Sequence, residues 1–196
     1  MVELLPPRAG KGRVKRLALV LLAAAVLGGG FLLVEETMPS WYARLRYPLE
    51  YEAIVVGHAR NYELDPALLA AVIYRESKFD ADAESSSGAI GLMQLLPSTA
   101  RGIALHTGGT KFRVTDLYDP EINVRYGAWY LRHLPDKYGS ERTALAAYNA
   151  GQANVDDWLA HGGEIAFAET REYVEDVLET REIYRRAYAG DLSLSG

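Results

Sequence analysis

One glutamate lies where a carboxyl group is unusual, on the apolar side of a predicted helix. Asp65-Pro66 is typical of a helix start, an N-cap followed by proline at the first helical position, and this helix runs to about Ser77. Glu76 stands seven residues after Leu69 and three after Ile73, so it continues the inward apolar face. Burial disfavours the charged carboxylate and raises its pKa, which suits a general acid that works near neutral pH.

Two interpretations of Glu76 are consistent with this helix alone. The first is general acid catalysis, and the second is a structural ion pair with Arg75 or Arg101. The acidic residues that follow, Asp80 and Asp82, are typical of a solvated turn, because short polar side chains bond to the local backbone there.

Several other chemistries are excluded by what the sequence lacks. Without cysteine there is no thiolate nucleophile, no thiolate zinc site and no lipid attachment through cysteine. The four histidines lie far apart and form no H-E-x-x-H pattern, so we predict no catalytic metal and no cofactor. The sequence also contains neither G-x-S-x-G nor the phosphate-binding G-x-x-x-x-G-K-[ST].

Charge is unevenly distributed along the chain. The net charge is −5, and because residues 1–16 carry +4, the rest of the chain carries −9. An acidic body without a basic stripe argues against a nucleic-acid partner.

An apolar run follows this basic N-terminus. Residues 17–34 contain no charged side chain and would form a helix about 27 Å long, close to the hydrocarbon thickness of a bilayer. Because basic residues favour the cytoplasmic side, we predict a cytoplasmic segment 1–16, a single transmembrane helix or signal anchor at 17–34, and a body on the outer face of the membrane. The alternative is a cleaved signal peptide, which would leave a secreted protein.

The remainder is predicted to be one mainly α-helical domain at 49–189, between a juxtamembrane linker at 35–48 and a flexible polar tail at 190–196. Further helix signals predict helices over about 120–134, 143–150 and 170–188. Between residues 80 and 99 the helical pattern stops, and serines and glycines predict a turn-rich segment with a small β-hairpin.

Short segments around and beyond Glu76 form an ordered set. They are Glu76-Ser77, Gly88-Ala-Ile-Gly-Leu-Met-Gln94, Leu96-Pro-Ser-Thr-Ala100, Asp116-Leu-Tyr-Asp-Pro120, Asn123 with Gly127 and Tyr130-Leu131, Ala146-Ala-Tyr-Asn-Ala-Gly151 and Glu169-Thr-Arg-Glu-Tyr-Val174. In this order and at this spacing they resemble the goose-type-lysozyme-like domain of the soluble lytic transglycosylase family, over roughly residues 50–188.

The resemblance implies a lysozyme-like helical fold and an enzyme that acts on peptidoglycan glycan strands. The implied reaction cleaves the β-1,4 bond between N-acetylmuramic acid and N-acetylglucosamine without water, and it leaves a 1,6-anhydro end. Glu76 takes the place of the family's catalytic glutamate, first as acid and then as base. A hydrolytic muramidase of the lysozyme type and a non-catalytic peptidoglycan-binding module remain as alternatives.

The resemblance also implies a set of substrate-binding residues: Ser77, Met93, Gln94, Tyr148, Asn149, Glu169 and Tyr173. Taken from the residues alone, several of them have a structural interpretation as well. Ser77 is equally a helix-terminal serine that bonds to its own backbone, Met93 a filler of the core, and Glu169 an acidic residue that favours a helix N-terminus.

Overall fold

The computed structural model describes residues 38–194 together with Arg16, Val20 and Leu21. Between residues 38 and 194 the chain forms eight α-helices and a 3-10 helix at Val114–Tyr118. The helices are α1 (Ser40–Arg46), α2 (Glu52–Asn61), α3 (Pro66–Ser77), α4 (Pro97–His106), α5 (Pro120–Tyr138), α6 (Glu141–Ala150), α7 (Gln152–Ala160) and α8 (Ala168–Ala187). The predicted mainly α class is confirmed.

Helix α3 begins and ends where its sequence predicts. The side chain of Asp65 accepts a hydrogen bond from the backbone N–H of Ala67 at 3.0 Å, which satisfies one of the donors left free at a helix start. At the other end, Lys78 adopts the left-handed conformation and closes the helix. Every residue from Pro66 to Tyr74 is buried, so α3 is the central helix of the domain, and Glu76 follows directly on this buried segment.

Helix α5 is longer than predicted. Its N-terminus is capped by Asp119, which accepts from the N–H of Ile122 at 3.0 Å, but the helix continues past Leu134 to Tyr138. Pro135 lies inside it, where a proline removes one N–H from the hydrogen-bond pattern and its ring crowds the carbonyl four residues earlier, yet the helix continues. The helix stops instead at Gly139, whose φ of 65° is readily adopted by glycine.

Two elements depart from the sequence prediction. The turn-rich segment ends earlier than expected, because α4 already begins at Pro97, at the first helical position that proline favours. The interval predicted to be a linker, 35–48, contains α1.

The segment between α3 and α4 contains only minimal sheet structure among the described residues. Two isolated antiparallel bridges pair Glu84 with Ile90 and Ile90 with Leu95. Ile90 is shared by both, so the chain folds back on itself twice within twelve residues. This compact turn segment, rather than a regular hairpin, covers the C-terminal end of α3.

The core forms between α3 and α8 and between α5 and α6, the helix pairs that pack most extensively. Leu69, Val72 and Ile73 of α3 and Val177 of α8 have no exposed surface. Because burying one such side chain stabilises the fold by about 1.5–3 kcal/mol, this packing fixes the direction in which α3 presents its last turn.

The described part of the chain divides into two units between Tyr42 and Ala43. In the first, the rings of Trp41 and Tyr42 meet edge to face at 5.8 Å. In the second, the polar C-terminal segment contacts the domain, because Leu192 is buried and Arg60 donates to the carbonyl of Leu194 at 3.1 Å.

The predicted membrane span at 17–34 lies outside the described residues, apart from Val20 and Leu21. Among the helices that the structure does describe, none has the length and apolar character needed to cross a bilayer.

Candidate active site

A cavity of about 330 Å³ opens beside the end of α3. Five residues selected from the sequence line it: Glu76, Gln94, Tyr148, Asn149 and Glu169. They come from the last turn of α3, the turn segment, the last turn of α6 and the first turn of α8. Residues that are far apart in the sequence therefore converge on one cleft.

Glu76 is held by one specific hydrogen bond. The hydroxyl of Tyr173 donates to Oε1 of Glu76 at 2.6 Å. Burial raises the pKa of Glu76 from 4.5 to about 7, and the Tyr173 bond and the nearby Arg75 charge act in the opposite direction. The carboxyl group thus changes its protonation state near neutral pH.

The ion-pair interpretation of Glu76 does not describe the observed contacts. Arg75 forms its ion pair with Asp176 of α8. Arg101 is exposed on α4, and neither arginine is ion-paired with Glu76 in the described part of the chain.

Three of the selected residues do not line the cavity. The hydroxyl of Ser77 donates to the carbonyl of Leu92 at 2.8 Å. The side chain of Met93 is fully buried against Gly127, and Tyr173 is 7% exposed beneath Glu76. Each of these side chains contacts protein and supports a part of the cleft wall.

The backbone of Gln94 has a positive φ of 48°, which is uncommon for a residue other than glycine. Its side-chain amide nitrogen donates to the carbonyls of Ala83 at 3.1 Å and Gly91 at 3.0 Å. These two bonds fix the amide plane at the edge of the cavity.

Tyr148 joins the cleft to the turn segment. Its hydroxyl donates to the carbonyl of Met93 at 2.9 Å, and its ring lies 5.5 Å from that of Tyr130. Burial and the nearby charge of Glu76 raise the pKa of Tyr148 well above its usual value, so the phenol stays protonated. The next residue, Asn149, accepts a hydrogen bond from Thr170 at 2.8 Å, which connects α6 to the start of α8.

Several residues of the cavity wall were not selected as site residues from the sequence, among them Ser85 and Ser87, and Tyr130, which was matched only to the family pattern. The two serine hydroxyls lie 2.9 Å apart, and the Ser85 hydroxyl also accepts from the N–H of Ala89 at 3.0 Å. The run of three serines before Gly88 is the only sequence feature that could have indicated these hydroxyls, and by itself it predicts only a turn. The hydroxyl of Tyr130 accepts from the side chain of Gln152 at 3.3 Å.

Fold and site together define a lysozyme-like helical domain whose cleft contains a partly buried glutamate with a raised pKa. Residues 54–170 match the family described as Transglycosylase SLT domain, and the chain belongs to this family.

Similar proteins include the soluble lytic murein transglycosylase of Salmonella typhimurium, which is 33% identical over 157 residues; the match covers 71% of this chain and 24% of that protein. The 70 kDa soluble lytic transglycosylase of Escherichia coli superimposes with a TM-score of 0.70 at 30% identity, over 78% of this chain and 26% of that one. An inactive Glu-to-Gln mutant of the lytic transglycosylase Slt from Pseudomonas aeruginosa gives a TM-score of 0.66 at 35% identity, over 73% and 25% of the two chains. This chain therefore corresponds to about a quarter of the length of these relatives.

Proposed function

We propose that this protein is a peptidoglycan lytic transglycosylase that cleaves the β-1,4 bond between N-acetylmuramic acid and N-acetylglucosamine and leaves a 1,6-anhydro-muramic end. Membership of the family and its lytic transglycosylase relatives support the proposal. The observation that carries it is the state of Glu76, a cleft carboxyl group whose pKa is raised by burial to about 7.

A carboxyl group with this pKa can both give and take a proton near neutral pH, because both of its forms are populated there. In the proposed first step, protonated Glu76 gives its proton to the glycosidic oxygen as the bond to the anomeric carbon breaks. In the second step, the Glu76 carboxylate removes the proton from the 6-hydroxyl of the muramic acid, and that oxygen bonds to the anomeric carbon. The carboxyl group ends protonated as it began, and no water is consumed.

The proposed roles of the other site residues follow from where they lie. Gln94, Tyr148, Asn149 and Glu169 line the cavity and would contact the glycan directly. Gln94 donates its amide N–H groups to the protein, so its side-chain oxygen is the group that would accept from a sugar acetamide. We propose that Ser77, Met93 and Tyr173 hold the cleft wall in place.

Hydrolysis is the second candidate function, and the position of Glu169 on the cavity wall favours it. Hydrolytic glycosidases of the usual kind use two carboxyl groups, and Glu169 is the other acidic residue of the cavity wall. Glu169 is exposed at the first turn of α8, however, where a negative charge is already favoured by the helix dipole.

The proposal is tested by comparing Glu76→Gln with Glu169→Gln. Glutamine keeps the size of the side chain and can still accept from Tyr173, but it has no proton to transfer. We expect Glu76→Gln to fold and to lose clearing of purified peptidoglycan, while Glu169→Gln keeps catalytic turnover and loses at most substrate affinity. Substantial activity in folded Glu76→Gln protein would contradict the assignment of this residue.

We also propose the chain organisation suggested by the sequence, with a catalytic domain at 49–189 carried on the outer face of the cell membrane by a single span at 17–34. The basic segment 1–16 and the uncharged run after it support this topology. Full-length protein is then expected to remain in the membrane fraction after a high-pH wash. Mature protein that begins after about residue 30 and is free in the medium would indicate a cleaved signal peptide instead.

A further inference from the structure

One buried asparagine is hydrogen-bonded to the backbone of residues 90–94, which we call the cleft loop. Asn123 of α5 has no exposed surface, and its Nδ2 donates to the carbonyls of Ile90 and Leu117, both at 2.8 Å. Its Oδ1 accepts from the backbone N–H of Met93 at 2.8 Å. Both N–H donors of the amide and one acceptor position of its oxygen are therefore used, and a buried polar group bonded in this way rigidifies what it binds.

Two glycines allow the cleft loop to lie this close to α5. A Cβ on Gly91 would stand 2.3 Å from Nδ2 of Asn123, and a Cβ on Gly127 would stand 2.2 Å from Sδ of Met93. Real side chains do not approach so closely, so the loop and α5 are shaped to each other around the Asn123 amide.

The same loop is also bonded to the helices that carry the active-site residues. Ser77, the neighbour of Glu76 on α3, donates to the carbonyl of Leu92 at 2.8 Å. Tyr148 of α6 donates to the carbonyl of Met93 at 2.9 Å. The cleft loop is thus the place where side chains from α3, α5 and α6 meet one short backbone segment.

We propose that Asn123 is a positioning residue for the reaction, because it fixes the cleft loop and, through that loop, the Gln94 amide, the Tyr148 hydroxyl and the packing around Glu76. Asn123 does not line the cavity, so it acts without touching the substrate. The effect on turnover rests on the proposed role of Glu76.

Loosening the cleft loop is expected to lower the pKa of Glu76, which a general loss of stability would not do. The ionisable groups around the carboxyl group come from its own helix, from α8 and from the α5 and α6 residues of the cavity wall: Arg75, Tyr130, Tyr148, Glu169 and Tyr173. Burial is the main cause of the raised pKa of Glu76, so water that enters beside a displaced loop lowers that pKa toward its ordinary value.

The test compares Asn123→Ala with Val124→Ala in the full chain. Val124 is the next residue of α5, is also fully buried, and makes no hydrogen bond to the loop through its side chain. Three quantities are measured for each variant: the melting temperature, kcat and KM on peptidoglycan, and the pKa of Glu76 from infrared titration of its carboxyl band, identified by subtraction of the Glu76→Gln spectrum.

We expect both variants to melt earlier, and Asn123→Ala alone to lose about tenfold or more in kcat and to lower the Glu76 pKa by about one unit. Unchanged kcat and unchanged titration in Asn123→Ala, or the same changes in Val124→Ala, would overturn the proposal. If Asn123→Ala does not fold, Asn123→Leu replaces it, since leucine has a similar volume, loses both donors and the acceptor, and adds no titrating group. The infrared titration needs no turnover, so it decides this inference even if the proposed activity is absent.

Discussion

The hydroxyl of Tyr173 donates a hydrogen bond of 2.6 Å to Oε1 of Glu76, across 97 residues of sequence. The bond joins the last turn of α3 to the first half of α8, the two helices that also share the core. It gives the carboxyl group a fixed orientation at the cavity, and a hydrogen bond to the carboxylate favours the charged form of Glu76.

Tyr173→Phe should therefore raise the pKa of Glu76 above about 7, because the bond that favours the carboxylate is removed while burial remains. The alkaline limb of the pH–rate profile, which reports loss of the acid form, should move to higher pH, and the maximal rate should fall about tenfold as the carboxyl group loses its orientation. Tyr184→Phe is the matched control, since this tyrosine of α8 donates to the carbonyl of Pro48 at 2.7 Å instead. A downward shift of the limb in Tyr173→Phe, or an equal shift in both variants, would contradict the account.

The raised pKa of Glu76 also predicts how stability changes with pH. Between pH 4.5 and about 7 the folded protein holds the Glu76 proton more tightly than the unfolded chain does. The contribution of this group to stability is thus fully present below pH 4.5 and is lost as the pH rises through about 7, a change of up to about 3 kcal/mol.

Glu76→Gln removes this ionisation, so the variant should be more stable than the wild type at pH 8 by up to about 3 kcal/mol, with no such gain at pH 4. Denaturant unfolding of both proteins at the two pH values measures the difference. A gain of equal size at pH 4 and pH 8 would mean that the carboxyl group is not held in a buried, neutral form.

Two glycines of the turn segment allow the cost of close packing to be measured separately from the cost of a left-handed backbone. Gly91 and Gly88 have nearly the same φ, 78° and 77°, but a Cβ on Gly91 would stand 2.4 Å from the carbonyl oxygen of Leu117, whereas a Cβ on Gly88 would meet nothing within 4 Å. Gly88→Ala should cost about 1–2 kcal/mol for its left-handed backbone, and Gly91→Ala about 3 kcal/mol or more together with loss of cleavage. Melting curves and clearing rates of the pair check this, and equal costs would show that the cleft loop is not packed as described.

The sequence contained enough information for α3 and its carboxyl group, and less for the walls around it. Asp65-Pro66 marks a helix start locally, and the 3.6-residue period then directs Glu76 inward, so both follow from neighbouring residues. The contact of Tyr173 with Glu76 depends on how α3 and α8 pack, which no local pattern specifies.

Local sequence patterns also failed to predict the environments of three other residues, Met93, Ser85 and Ser87. Met93 belongs to a motif that resembles a cleft lining, yet its side chain is drawn into the core because Gly127 leaves space for its sulfur. The serines look like turn residues in the sequence and do bond within the turn, but the return of the chain at Ile90 also brings them to the cavity.

The mass of the products released from purified peptidoglycan tests the central claim most directly. We expect disaccharide-peptide products that end in 1,6-anhydro-muramic acid, one water lighter than the corresponding reducing ends, in digests by the wild type and not in digests by Glu76→Gln. Products with reducing muramic ends would contradict the intramolecular attack by the 6-hydroxyl and assign the Glu76 cleft to hydrolysis.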